Sequence, residues 1–188
     1  MANPATPLEK FVTTALFRSF EQAERAFQAA IEAGYDASDI NVLMSEETRQ
    51  RFLETKGSGT PLGQKATEPA PEASKSADAL GGPAGGTMGT VAPVIGAVGA
   101  ALLIPGLGLA VAGPIAIALT AAGTVGVATG LIGALTNWGI PKEQAHQYES
   151  AVRKGGIVIG VSAGSAEDAR ALADRWRQAG GEMIDAKS

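Results

Sequence analysis

A single histidine, His146, is where acid–base chemistry would have to begin in this 188-residue chain. Glu143 and Glu149 stand three positions to either side of it, so one carboxylate can pair with the imidazole on a helix. A lone pair on the wet face of a helix is a poor general base. With one histidine and no cysteine, neither a multi-histidine metal site nor a thiolate site can be assembled, and no disulfide can form. Ser162 and Ser165 follow an apolar run, but Ser-Ala-Gly-Ser is not the Gly-x-Ser-x-Gly of a nucleophile elbow. Ser165 reads instead as a helix N-cap. The acidic pairs Glu46-Glu47 and Glu167-Asp168 fall at a linker and a helix start, where negative charge suits the helix dipole. Gly57-Ser58-Gly59 is not followed by the Lys-Ser/Thr pair of a phosphate-binding loop. These residues predict no enzyme, cofactor or metal, and no small-molecule substrate is evident.

The elements that would position them come in two matching sets. Phe11 to Phe17 is β-branched and apolar and predicts a strand. Ser19 caps a helix with Gln22 in the capping-box position, and Phe20, Ala23, Ala26, Phe27, Ala30 and Ile31 form its apolar stripe. Gly34 ends that helix, Asp36 and Ser38 turn the chain, and Ile40 to Met44 predicts a second strand. The far end repeats this. Gly156 to Val161 is a strand, Ser165 caps a helix lined by Ala169, Leu172, Ala173 and Trp176, Gly180 stops it, and Glu182 to Ala186 is a last strand. Two such βαβ units predict an α+β, ferredoxin-like head: a four-stranded antiparallel sheet with helices on one face. Neither half has enough core to stand alone.

Between them lies a block without parallel elsewhere in the chain. From Ala79 to Pro141 there is no Asp, Glu, Lys or Arg, and from Thr90 onward it is almost wholly Gly, Ala, Val, Leu and Ile. Pro105-Gly106 and Gly113-Pro114 divide it, and Pro114 suits a first helical position. A bilayer crossing needs roughly 20 helical residues, so 90–136 predicts an apolar helical hairpin that enters and leaves a membrane on one side. Ala92, Gly96 and Ala100, then Ala122, Gly126, Gly130 and Ala134, recur every four residues and put small side chains on one stripe. That stripe predicts close helix packing, within the hairpin or between subunits of a homo-oligomer. The same small residues drive insertion weakly, so packing within a soluble assembly is the competing expectation.

The remaining stretches are simpler. The first head half is predicted at 10–45 and a flexible linker at 46–89. Within that linker Glu46 to Leu53 allows a short helix, while Lys56 to Gly86 is too rich in Gly, Pro, Ser and charge to order itself. The second half is predicted at 137–188. Pro141 opens a helix to Lys154 with Ala145, Tyr148 and Val152 on one face. Trp138 fits an interfacial anchor at the lipid headgroups, or equally a core residue fixing this helix to the sheet. Met1 to Lys10 lacks a basic start and apolar run, which predicts a cytoplasmic beginning. The net charge of −4 is interspersed, which gives no basic surface for nucleic acid.

Trp138-Gly139-Ile140-Pro141, then Glu143, Ala145, Tyr148-Glu149, Val152 and Gly155-Gly156 before an apolar strand, resembles the hallmark of bacterial general stress proteins of the 17M type. Phe17 through Gly34 is similar to their opening unit. The resemblance covers about two-thirds of the chain, excluding the linker. It implies stress-associated expression and a membrane-seeking middle, and it brings no catalytic residues. Three functions follow as expectations. The first is a membrane-anchored, self-associating structural protein with a cytoplasmic head. The second is a small pore-forming oligomer, with only Thr120, Thr124, Thr129 and Thr136 to line it. The third is a soluble, cytoplasmic assembly or regulatory binding module with the apolar segment packed between subunits.

Overall fold

The computed structural model describes residues 11–67, 102–104, 108–116, 131–133, 135–136 and 139–186. In chain order these form β1 (Phe11–Phe17), α1 (Phe20–Glu32), a 3-10 turn (Ala37–Asp39), β2 (Ile40–Ser45), α2 (Glu46–Lys56), α3 (Pro61–Thr67), β3 (Leu102–Ile104), β4 (Leu109–Ala112), α4 (Lys142–Arg153), β5 (Ile157–Ala163), α5 (Ala166–Gln178) and β6 (Glu182–Ala186). The fold is α+β.

One strand–helix pattern occurs twice, 146 positions apart. Residues 11, 17, 20 and 32 bound β1 and α1, and residues 157, 163, 166 and 178 bound β5 and α5. The caps repeat with the elements. Ser19 and Ser165 each accept the backbone N–H three residues on, and Gly34 and Gly180 leave their helices at φ +94° and +92°, a region closed to most side chains.

The strands form one antiparallel sheet in the order β3-β4-β2-β5-β1-β6. β5 lies between β1 and β2, with Phe11 opposite Ala163 and Phe17 opposite Ile157. Side chains alternate between two cores. On the first face Ala15, Phe17, Ile40, Val42, Met44, Ile157, Ile159 and Val161 meet Ala23, Ala26 and Phe27 of α1 and Leu172 and Trp176 of α5. On the second, Leu16, Leu43, Leu109, Val111 and Val158 meet Ala145, Tyr148, Ala151 and Val152 of α4. Helices therefore cover both faces, not one as the two-unit pattern predicts. The added layer comes from α4 and from the apolar block.

The block departs most from expectation. A helical hairpin over 90–136 is not what the described residues form: Leu102–Ile104 and Leu109–Ala112 are strands, and β4 pairs with β2 so that Val42 faces Ala112 and Ser45 faces Leu109. The physical reason lies in β2. Its Ile40, Val42, Leu43 and Met44 are all buried, and a six-residue strand apolar on both faces is a liability at a sheet edge, which a three-residue strand such as β3 limits. The β3–β4 pair covers that edge, and the Glu46 N–H continues the contact by donating to the Gly108 carbonyl at 2.8 Å. Residues 114–116, 131–133 and 135–136 are helical, and Ile115, Ala116, Leu131 and Leu135 are buried in the second core. Among the described residues no helix is long and apolar enough to cross a membrane.

The predicted linker is also structured where it is described. α2 and α3 lie against the first face, burying Phe52, Leu62 and Ala66. Lys56 pairs with Glu21 of α1 at 2.9 Å, and the Thr60 hydroxyl donates to Glu24. Composition predicts disorder here, and tertiary contacts override it. The rest of the predicted linker, 68–89, lies outside the described residues.

Candidate functional site: the sheet face that receives the apolar block

The residues predicted to pack or anchor, Ala92, Gly96, Ala100, Ala122, Gly126, Gly130, Ala134 and Trp138, all lie outside the described residues. The candidate chemical groups are placed. His146 is exposed on α4. Ser165 is occupied as a cap: its Oγ accepts the Asp168 N–H at 3.1 Å and donates to Asp168 Oδ2 at 2.7 Å. Glu46 begins α2 and accepts two hydrogen bonds from Arg49, at 2.8 and 2.9 Å. The bond to Arg49 holds the Glu46 carboxyl below its usual range, with burial opposing and the amide of Gln50 assisting. Among the described residues no group of three or more His, Cys, Asp or Glu could hold a metal ion.

What the fold assembles instead is a docking surface on the second face. β2 brings Asn41 and Leu43 to it, β5 brings Val158 and Gly160, and β4 brings Val111. Ile115 and Leu131, from two points in the apolar block, close over them and leave a void of about 10 Å³. That is space for about one water. Burying each large aliphatic side chain here is worth roughly 1.5–3 kcal/mol.

Asn41 fixes the register of this contact. It is 4% exposed in the middle of an apolar strand, where an unpaired amide is costly. Its Oδ1 accepts the Ile115 N–H at 2.7 Å, and its Nδ2 donates to the Gly160 carbonyl at 3.4 Å. Gly113, at φ +98°, lets the chain pass this close. A Cβ there would stand 2.5 Å from the Ile40 carbonyl oxygen and 2.9 Å from Asn41 Cα. Sequence reasoning read Gly113 only as a breaker beside Pro114 and missed Asn41. The signal for Asn41 was a carboxamide inside Ile-Asn-Val-Leu-Met that needed a partner.

α4 is fixed to the other side of the same face by Tyr148. Its hydroxyl donates to the Met183 carbonyl at 2.8 Å, accepts from Gln144 Nε2 at 3.1 Å, and is 2.9 Å from Thr14 Oγ1. Met183 sits at φ +50°, where the β1–β6 register shifts, so the phenol holds a β-bulge in place. Burial pushes the Tyr148 hydroxyl up to about 12, against the opposing effect of the Thr14 and Gln144 hydrogen bonds. It stays a neutral donor. The arrangement orients and packs; it does not activate a nucleophile.

No protein-family model, curated protein or solved structure matches the chain.

Proposed function

We propose that the protein is a non-enzymatic, self-associating structural module of the stress-response kind, with a ferredoxin-like head onto which its Gly/Ala-rich block folds back. The observation that carries this reading is the burial of Leu109, Val111, Ile115, Ala116, Leu131 and Leu135 in one cluster with Leu16, Leu43, Tyr148 and Val158. The strand order β6-β1-β5-β2, with α1 and α5 on one face, supports the ferredoxin-like part. The stress-response part rests on the Trp-Gly-Ile-Pro resemblance. Self-association rests on the four-residue spacing of Ala92, Gly96 and Ala100 and of Ala122, Gly126, Gly130 and Ala134.

A second reading, a membrane anchor with a cytoplasmic head, is favoured by the lack of any Asp, Glu, Lys or Arg from Ala79 to Pro141. The two differ in what satisfies the apolar side chains, the sheet or lipid. Expression without detergent, followed by sizing and by carbonate extraction of the membrane fraction, separates them. A discrete soluble oligomer supports the docked module. Carbonate-resistant pelleting of the full chain overturns it in favour of the anchor.

A further inference from the structure

The repeated pattern creates two equivalent junctions, each where one unit's helix start meets the other unit's helix end. At the first, Gln22 fills the space. Its Oε1 accepts the Arg18 and Ser19 N–H groups at 3.1 and 3.2 Å, and its carboxamide lies directly against Gly180, with Nε2 2.5 Å from where a Cβ would stand. At the second junction the position of Gln22 belongs to Asp168, and that of Gly180 to Gly34. The shorter Asp168 turns back to the Ser165 hydroxyl, and nothing lies within 4 Å of the place a Gly34 Cβ would take. A cleft of about 450 Å³ opens there, lined by Glu32, Gly34, Tyr35, Gly164, Asp168 and Arg175. Tyr35 is among the lining residues; its hydroxyl is buried away from solvent and has no partner among the described residues.

The geometry points to a primary carboxamide, the group at the end of a glutamine or asparagine side chain, as what this cleft binds. The molecule supplies the template, since its own Gln22 carboxamide plugs the equivalent space. In the open junction the carboxamide oxygen takes the Gly164 and Ser165 N–H groups, which correspond to those of Arg18 and Ser19. Its NH₂ lies over Gly34, within reach of the Asp168 and Glu32 carboxylates. A bare carboxylate is disfavoured by those same two acids. Arg175 adds a place for the α-carboxylate if the carrier is a free amino acid. This site is separate from the docking surface and independent of the proposed function.

Backbone amide NMR of the full-length chain tests it. Propanamide probes the bare group, L-glutamine the free amino acid, and a capped Ala-Gln-Ala peptide the protein-borne form. Propionate and L-glutamate are the charged controls. At least one carboxamide is expected to shift the Gly34, Tyr35, Gly164 and Ser165 amides at millimolar concentration, with the strongest of the three naming the source. Asp168→Gln supplies the plug from within the chain and is expected to abolish the shifts while raising Tm by restoring the capping box. Gly34→Asn, tolerated at positive φ, fills the space from the other wall and must abolish them too. Shifts that are equal with propionate, that persist in both variants, or that never appear with any carboxamide overturn the assignment.

Discussion

Trp176 and Ala26 join the two repeated units: the indole Nε1 of α5 donates to the Ala26 carbonyl of α1 at 2.9 Å, deep in the first core. The same indole meets Phe17 edge to face, with ring centroids 6.1 Å apart. Strand, helix and helix therefore share one side chain. Trp176→Ala is expected to destabilise the fold by about 3–5 kcal/mol, read as a lower urea midpoint. The wild type should unfold in a single transition; separate transitions for the two units would contradict this coupling.

Asn41 makes a different prediction, because its partner belongs to the apolar block. Asn41→Ala leaves the Ile115 N–H without its acceptor, at a cost of about 1–3 kcal/mol. Gly113→Ala forces a Cβ toward the Ile40 carbonyl at a φ that disfavours it, which costs at least about 1–3 kcal/mol. Hydrogen exchange should quicken first at Val111 and Ala112 in both variants, before β1 and β5 respond. Uniform acceleration across the sheet would show that the block does not dock as a separate layer.

The Tyr148 hydroxyl gives a pH dependence of known sign. Its folded value, about 12, stands above the ordinary 10, so the folded state holds the proton more tightly than the unfolded one. The associated stability is complete below pH 10 and is lost as pH rises from about 10 to 12, by about 2–3 kcal/mol in all. Tyr148→Phe should lower stability at neutral pH, by removing the shorter of the two hydrogen bonds to the Met183 carbonyl and leaving it only the 3.4 Å one from Gln144 Nε2, and flatten that alkaline decline. An unchanged decline in the variant would assign it to other groups.

A chain without cysteine permits a clean crosslink. Val42 and Ala112 are register partners on β2 and β4, and facing residues of antiparallel strands lie within disulfide range. Val42→Cys with Ala112→Cys should oxidise within one chain and stabilise it by up to about 4 kcal/mol, given the long loop enclosed. Failure to form the intramolecular bond under mild oxidant would refute the pairing of β4 with β2.

The repeated units were legible because each carries its full set of local signals. Ser19 and Ser165 start the helices, Gly34 and Gly180 stop them, and Phe27 and Trp176 lie on stripes of helical period. The β3–β4 pair was not, because Leu-Leu-Ile and Leu-Ala-Val-Ala read as parts of one long apolar run. The Pro105-Gly106 between them signals a kink and a hairpin turn alike. What distinguishes the two is the exposed edge of β2, a consequence of strand order that no local pattern displays. α3 was hidden for a related reason. Only Leu62 and Ala66 give it an apolar face, and both are buried by neighbours distant in sequence. Asn41 and Ile115 meet across 74 positions, so the docking surface is a product of topology.

The place of β5 between β1 and β2 has a consequence for biosynthesis. A ribosome delivers β1, α1 and β2 early, yet these two strands are not neighbours and gain their shared partner only when Ile157 onward emerges. At about 5–20 residues per second the wait is roughly 5–20 s. Throughout it the nascent chain carries two apolar strands with open edges, followed by the greasiest stretch of the sequence. Its hazard is aggregation before completion.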